Sequence, residues 1–258
     1  MKNKQSYDSY SRPSDSRLFQ LYALLRWSLV RYKVLLPVFT VAQLLLSLAI
    51  VYGLTFLIPT MDDTTAVYLS SGAIVLGIIA VGCVLSAQIV VSTAKQNGIV
   101  SYQRTLPVSR FNLLLADFII WGFASLPGIL MSFLASSLKF GLAIHFSVLS
   151  VALLILTQMS MISIGFCIAY WLPANGVSLM TQIIMIGGLL FSPITYPADR
   201  LPEWTKIIYD FLPFVPTANL IRTSFFGSGF IQLKNILTVS IWLIITGALS
   251  LRALSRRN

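Results

Sequence analysis

AVYLSSGAIVLGIIAVGCVLSAQIVVSTA, residues 66–94, is a run of 29 residues without a single Asp, Glu, Lys or Arg. About 20 apolar residues are enough for an α-helix to cross the hydrocarbon core of a bilayer. The run is therefore long enough to span a membrane with residues to spare. A stretch of this length and composition predicts an integral membrane protein.

The composition of the whole chain supports the same conclusion. Of its 258 residues, 57% are hydrophobic and only 10% are charged, whereas soluble domains have roughly 45–50% apolar and 25% charged residues. A water-soluble fold could not solvate its surface with so few charges. We therefore predict an all-α integral membrane protein whose domain, residues 34–258, holds six transmembrane helices, with apolar runs at 34–58, 66–94, 113–138, 146–170, 177–194 and 231–251.

Two further segments precede the first apolar run. Residues 1–16 are polar and lack an apolar core, so we expect a tail in the cytoplasm rather than a cleaved signal peptide. Residues 17–33 place Leu21, Leu25 and Leu29 at helical spacing among basic residues such as Arg26. This pattern predicts an amphipathic helix in the membrane interface, although it could also simply begin the first span.

The net charge of +10 raises the question of a nucleic-acid partner. Most of the 18 Lys and Arg residues, however, lie at the two termini and in one central connection, next to apolar runs. Clusters of this kind set the orientation of a membrane protein, because basic residues stay in the cytoplasm. We therefore expect both termini in the cytoplasm and no nucleic-acid partner.

Catalytic motifs are absent from the sequence. His145 is the only histidine, which excludes metal sites with two histidines and makes most histidine relays impossible. The chain has no Gly-Lys dipeptide and so no G-x-x-x-x-G-K-[ST] phosphate loop. We expect no metal, no cofactor on this chain and no enzymatic activity of its own.

Two connections are longer than the topology needs, and long connections often carry function. The cytoplasmic connection, residues 95–112, has the sequence KQNGIVSYQRTLPVSRFN. The outer connection, residues 195–230, predicts two short helices, one after Pro202 and one starting near Pro216. Neither helix is long enough to span, so between the fifth and sixth spans we predict a re-entrant helical hairpin.

Both connections carry a resemblance to the ABC-2 type permeases of bacterial exporters, closest to drug- and daunorubicin-resistance-like members. The cytoplasmic connection is similar in its glycine at Gly98 and in TLPVSR at 105–110. The outer connection resembles the family pattern SP-x-x-YP followed by LP-x-W, with SPITYP at 192–197 and LPEW at 201–204, and then Pro216 and Arg222. On this basis the hairpin residues of interest are Pro193, Tyr196, Pro197, Pro202, Trp204, Pro216 and Arg222.

The resemblance implies a partner-driven machine in the bacterial cell membrane. Two permeases, identical or related, would pair with two ABC ATPase subunits that bind ATP and Mg, and membrane lipids would surround them. The cytoplasmic connection would dock on the ATPase and couple hydrolysis to substrate movement. The coupling residues implied are Gly98, Tyr102, Arg104, Leu106, Pro107 and Arg110.

Polar residues inside the apolar runs are candidates for a substrate pathway. Asp117 is the sharpest, because an ionisable residue in a span is costly and usually functional; the alternative is that it reaches interfacial water or Arg110. Gln88, Gln182 and Met185 could also face the pathway, although hydrogen bonding or packing between helices would explain them as well.

The weak polarity of these candidates favours an amphiphilic substrate, such as a drug, an antimicrobial peptide or a lipid-like molecule. Export of polysaccharide or teichoic acid is the alternative within the family. A channel without ATP coupling, or a membrane scaffold, is the alternative from another class.

Overall fold

A computed structural model describes residues 17–57, 62–97, 109–197 and 202–255, and within these ranges it contains helices and no strand. A π-helical turn, Ala49–Gly53, and a 3-10 turn, Leu54–Leu57, extend the second helix, and a π-helical segment, Ile79–Leu85, joins the third to the fourth. In chain order the α-helices are α1 (Arg17–Tyr32), α2 (Leu35–Leu48), α3 (Asp63–Ile78), α4 (Ser86–Asn97), α5 (Arg110–Phe140), α6 (Val148–Trp171), α7 (Ala174–Leu190), α8 (Glu203–Phe211), α9 (Phe214–Phe225) and α10 (Leu233–Ser255).

Among the described residues, five helical segments are long and apolar enough to cross a membrane, which confirms a helical fold with candidate membrane spans. They are Leu35–Phe56, Asp63–Ser92, Arg110–Phe140, Val148–Trp171 and Leu233–Ser255. The remaining apolar run forms α7, which has 17 residues and is therefore about 25 Å long, less than the roughly 30 Å of a bilayer core. The count of six spans stays a prediction.

The segment made of α3, the π-helical residues and α4 is the centre of the bundle. Every residue from 69 to 79 is buried, so this helix is covered on all sides within the bundle, as its continuous apolar sequence requires. It packs closely on α6 at Gly165, where an added Cβ would lie 2.5 Å from the carbonyl oxygen of Gly82. Glycine at this position lets the two backbones approach each other.

Helices α2 and α5 meet where Pro127 interrupts the hydrogen-bond ladder of α5. Gln43 Nε2 donates to the carbonyl oxygen of Ala124 at 2.7 Å, and Ser47 Oγ donates to that of Gly128 at 2.8 Å. Backbone carbonyls near a proline need such partners in an apolar environment. The polar side chains of α2 therefore satisfy backbone carbonyls of α5 next to Pro127.

Helices α6 and α10 are joined by hydroxyl groups. Ser160 Oγ donates to the carbonyl oxygen of Val239 at 3.2 Å, and Thr246 Oγ1 donates to Ser163 Oγ at 2.7 Å. Small polar residues let membrane helices approach closely and hydrogen-bond across the interface. This packing holds the last span against the bundle.

Helix α1 is separate from the first apolar helix, because a turn at residues 33–34 divides them. Its buried residues, Leu24, Ser28 and Tyr32, face α5, whereas Tyr22 and Leu29 are 64% and 50% exposed. The helix therefore has apolar residues on its outer side as well as on its packed side. Its location in a membrane interface stays a prediction, and residues 1–16 of the predicted tail lie outside the described ranges.

Candidate functional site

An ion pair connects α1 to α5. Nη2 of Arg31 lies 3.6 Å from Oδ1 of Asp117, and the two side chains are only 13% and 6% exposed. Asp117 is seven residues from the start of α5, about 10 Å along the helix. The pair therefore lies beneath the surface of the bundle rather than at its edge.

Aromatic rings enclose this ion pair. The guanidinium carbon of Arg31 lies 4.2 Å from the ring centre of Tyr32 and 4.7 Å from that of Trp27, and Arg31 also donates a hydrogen bond to the Tyr32 hydroxyl. The Tyr32 ring in turn packs on Trp121, with 5.5 Å between the ring centres. Burial, and then the charge of Asp117, raise the pKa of Tyr32 above its ordinary value, so the phenol stays neutral.

Sequence reasoning singled out Asp117 but missed its partner. From the sequence alone, the expected partner of the Asp117 carboxylate is interfacial water or Arg110, whereas the structure places Arg31 beside it. Asp117 is buried against α1. The only sequence signal was a basic residue at the end of α1, and such a signal does not say which later helix it meets.

The other three pathway candidates lie on two neighbouring helices. Gln88 Nε2 donates to Thr181 Oγ1 at 3.1 Å, which joins α4 to α7. Gln88 and Gln182 are exposed and Met185 is half-buried. The structure therefore brings Gln88 next to the helix that carries Gln182 and Met185, on a part of the bundle separate from the contact of Asp117 with α1.

A buried arginine holds α9 to the bundle. Arg222 on α9 is 4% exposed, and its guanidinium carbon lies 3.6 Å from the ring centre of Tyr68 on α3. Its three nitrogens donate to three different acceptors, which are Ser71 Oγ at 3.1 Å, Asn219 Oδ1 at 2.8 Å and the carbonyl oxygen of Ile194 at 2.9 Å. Among the described residues, no carboxylate lies in ion-pair distance of Arg222.

The proline-containing segment at 192–197 follows α7 as a series of turns. Pro193 is buried, Tyr196 and Pro197 are half-buried, and the Tyr196 hydroxyl donates to the carbonyl oxygen of Leu190 at 3.1 Å. The segment lies against α3 at Gly72, where an added Cβ would be 2.6 Å from Cγ2 of Thr195. These residues shape a tight junction between α3, α7 and α9.

Helices α8 and α9, in the segment predicted to form a re-entrant hairpin, differ in burial, and the hairpin itself stays a prediction. Helix α8 has nine residues and follows Pro202, which is exposed, as is Trp204 at 66%. Helix α9 has 12 residues and begins at Phe214 rather than at Pro216, which is buried in its first turn and is tolerated there because the first turn needs no proline N–H. Both helices are too short to span.

The predicted coupling residues mostly fall outside the described part of the chain. Gly98, Tyr102, Arg104, Leu106 and Pro107 are in residues 98–108, of which nothing structural is stated. Arg110 is the first residue of α5 and is half-buried. The coupling role of this connection stays a prediction.

Comparison with known proteins supplies the family. Residues 19–226, from α1 to the end of α9, match the family model described as ABC-2 type transporter. A comparison with curated proteins gives no match. Since the matched region covers most of the 258 residues, the chain belongs to the ABC-2 type transporter family, the membrane components of ABC transporters, which are not themselves catalytic.

Proposed function

We propose that the chain is the permease subunit of an ATP-driven exporter that moves an amphiphilic molecule out of the cytoplasm or the inner leaflet. The observation that carries this proposal is the family match over residues 19–226. The match includes the whole cytoplasmic connection and most of the outer connection, Arg222 among its residues. The chain would work as a multi-pass protein of a bacterial cell membrane, with both termini in the cytoplasm.

The exposed side of α7 supports an amphiphilic substrate. Helix α7 contains no charged residue, and Leu179, Ile183 and Ile186 are between 55% and 62% exposed. Gln182 and the neighbouring Gln88 are exposed beside them and add hydrogen-bonding groups without charge. A surface of this kind suits a molecule with large apolar and small polar parts, whereas a polyanion needs cationic partners.

The partners follow from the same proposal. Two ABC ATPase subunits would bind ATP and Mg, and each would contact the connection 95–112 of one permease. A second permease, identical or related, would pack on this one. The exposed apolar side chains of α2 and α7, such as Val38, Leu45 and Ile183, form surfaces that suit a second permease or lipid.

Substitutions in the cytoplasmic connection test the coupling directly. We expect Leu106→Asp or Tyr102→Asp to weaken co-purification with the ATPase about thirtyfold, because a central apolar contact commonly contributes about 2 kcal/mol. Arg104→Ala should act in the same direction with a smaller and more salt-dependent effect. Gln232→Asp is the matched control, because it adds the same charge just before α10, at a position where Asp is favoured.

Transport is measured with proteoliposomes that contain the permease, its ATPase and a fluorescent amphiphilic dye. We expect ATP-dependent dye movement that Leu106→Asp abolishes and Gln232→Asp preserves. Dye movement that does not need ATP would contradict the exporter and favour a channel. ATP-dependent movement of a polysaccharide or teichoic acid, without dye movement, would favour the other substrate class of the family.

A further inference from the structure

An open groove runs along the outer surface of the last span, between α8 and α10. Its volume is about 580 Å³, within the range of roughly 300–1,000 Å³ that is usual for ligand pockets. Phe211 closes it on the α8 side, and its ring packs edge-on to Trp242 of α10 with 6.0 Å between the ring centres. The groove lies outside the Arg222 junction and the pathway candidates.

The long wall of the groove is a single face of α10. Lys234, Thr238, Ile241 and Ile245 line it, and their spacing of four, three and four residues places them above one another on a helix. The twelve residues from Lys234 to Ile245 span eleven helical steps and cover about 16 Å. This distance is about half the roughly 30 Å of hydrocarbon in a bilayer, so the length of the groove matches the thickness of one leaflet.

Among the lining residues that the structure describes, charge is confined to one end of the groove. Lys234 Nζ lies 2.5 Å from Oδ2 of Asp210, and the two side chains are 61% and 60% exposed. Further along the wall, the polar groups already have partners. Thr238 Oγ1 donates to the carbonyl oxygen of Lys234 at 3.0 Å, and Trp242 Nε1 donates to that of Phe211 at 2.9 Å.

The occupant must therefore have a long apolar body and a polar group with two opposite charges at one end. We propose that this groove binds a phospholipid of the leaflet on the hairpin side, with an acyl chain along α10 and a zwitterionic headgroup that carries a primary ammonium. The phosphate would contact Lys234, and the ammonium would donate to Asp210. Trp242 is of the residue type enriched where hydrocarbon meets headgroups.

Exchange of the existing ion pair for the headgroup costs little, because exposed ion pairs contribute little to stability. The headgroup gives each residue a new partner of opposite charge. An anionic lipid would serve Lys234 but place a second negative charge near Asp210. A quaternary ammonium has no N–H to donate to the carboxylate. The lipid site depends only on the membrane location of α10, and not on the proposed transport activity.

Lipid titration of the purified protein tests the site by native mass spectrometry. The probes are palmitoyl-oleoyl phosphatidylethanolamine, phosphatidylcholine and phosphatidylglycerol, added to the detergent-solubilised chain. We expect one tightest site with at least fivefold preference for phosphatidylethanolamine over each of the other two. Equal affinities, or preference for phosphatidylglycerol, would overturn the proposed headgroup recognition.

Two matched variants locate the binding on the groove. Ile241 and Ile244 are both on α10 and are 52% and 68% exposed, but only Ile241 lines the groove. Ile241→Trp should reduce occupancy of the tightest site at least fivefold, and Ile244→Trp should leave it unchanged. Equal occupancy in both variants would overturn the site.

Charge variants keep the test decisive if Ile241→Trp disturbs folding. Asp210 and Lys234 are exposed, so Asp210→Asn and Lys234→Gln should leave the thermal unfolding midpoint in detergent nearly unchanged. Asp210→Asn should remove the preference for phosphatidylethanolamine over phosphatidylcholine, and Lys234→Gln should weaken all three lipids. A preference that survives Asp210→Asn would overturn the proposal.

Discussion

Two arginines with little exposure to solvent connect peripheral helices to the bundle, and they differ in the partners that they bind. Arg31 on α1 has a carboxylate partner, Asp117. Arg222 on α9 donates instead to a hydroxyl, an amide oxygen and a backbone carbonyl. The two lie toward opposite ends of α5, since Phe133, about 24 Å beyond Asp117 along the helix, packs on Phe225 of α9 at 4.9 Å between ring centres.

This difference in partners predicts how much stability each contact loses when one partner is removed. When one partner of a buried ion pair is removed, an uncompensated charge remains in an apolar environment. When one of several neutral acceptors is removed, the arginine keeps its other hydrogen bonds. The α1 contact should therefore depend on both residues together, whereas the hairpin contact should weaken in steps.

The largest expected effect concerns the ion pair. Asp117→Asn should lower the free energy of unfolding in detergent micelles by about 3–5 kcal/mol, because it leaves Arg31 charged, largely removed from water and without its carboxylate partner. The double variant Arg31→Gln with Asp117→Asn should recover most of this loss. A denaturant titration of both single variants and the double variant measures the coupling. If the loss in the double variant equals the sum of the losses in the two single variants, the two residues are not paired, and the contrast with Arg222 disappears.

The next effect concerns the distributed contacts of Arg222. Arg222→Lys keeps the charge but cannot reach three acceptors with a single ammonium, and we expect a loss of about 2–3 kcal/mol from hydrogen bonds to a charged group. Ser71→Ala should cost about 1 kcal/mol, because the other two acceptors remain. The same titration measures both values. If Ser71→Ala lowers the free energy of unfolding as much as Arg222→Lys does, the hydrogen bond to Ser71 dominates. The prediction that three acceptors share the stabilisation is then wrong.

The third prediction concerns the close approach that places the Ile194 carbonyl near Arg222. Gly72→Ala puts a Cβ 2.6 Å from Cγ2 of Thr195, and such overpacking should cost about 1–3 kcal/mol. Gly77→Ala is the control on the same helix, because nothing lies within 4 Å of its added Cβ, and it should be neutral or slightly stabilising. Equal stability of the two variants would show that the junction tolerates displacement and that Arg222 alone holds the hairpin.

The sequence predicted the apolar helices well, because each depends on a local property. The run 66–94 became a helical segment from Asp63 to Asn97, longer at both ends than its apolar part. The start is set by hydrogen bonding rather than hydropathy, since Asp62 caps the helix by accepting from the Thr65 N–H at 3.2 Å. Apolarity indicates what enters the bilayer, and capping determines where the helix begins.

The contacts between distant helices could not be predicted. Asp117 was recognisable from the cost of its charge, but its pairing with Arg31 depends on the packing of α1 on α5. Arg222 was recognisable from a motif, but its acceptors come from α3, α9 and the turn at Ile194. The exposed position of Gln88 beside Thr181 likewise follows from how α4 meets α7.

The Arg31–Asp117 contact also constrains the order in which the protein is made. Arg31 leaves the ribosome before the first three apolar helices, whereas Asp117 arrives only with α5. Until Asp117 has been synthesised, the Arg31 guanidinium lacks this carboxylate partner and stays where water can solvate it. Docking of α1 therefore waits for insertion of α5, so a nascent chain stopped before Asp117 should expose α1 to protease, and one that has released α5 into the membrane should protect it.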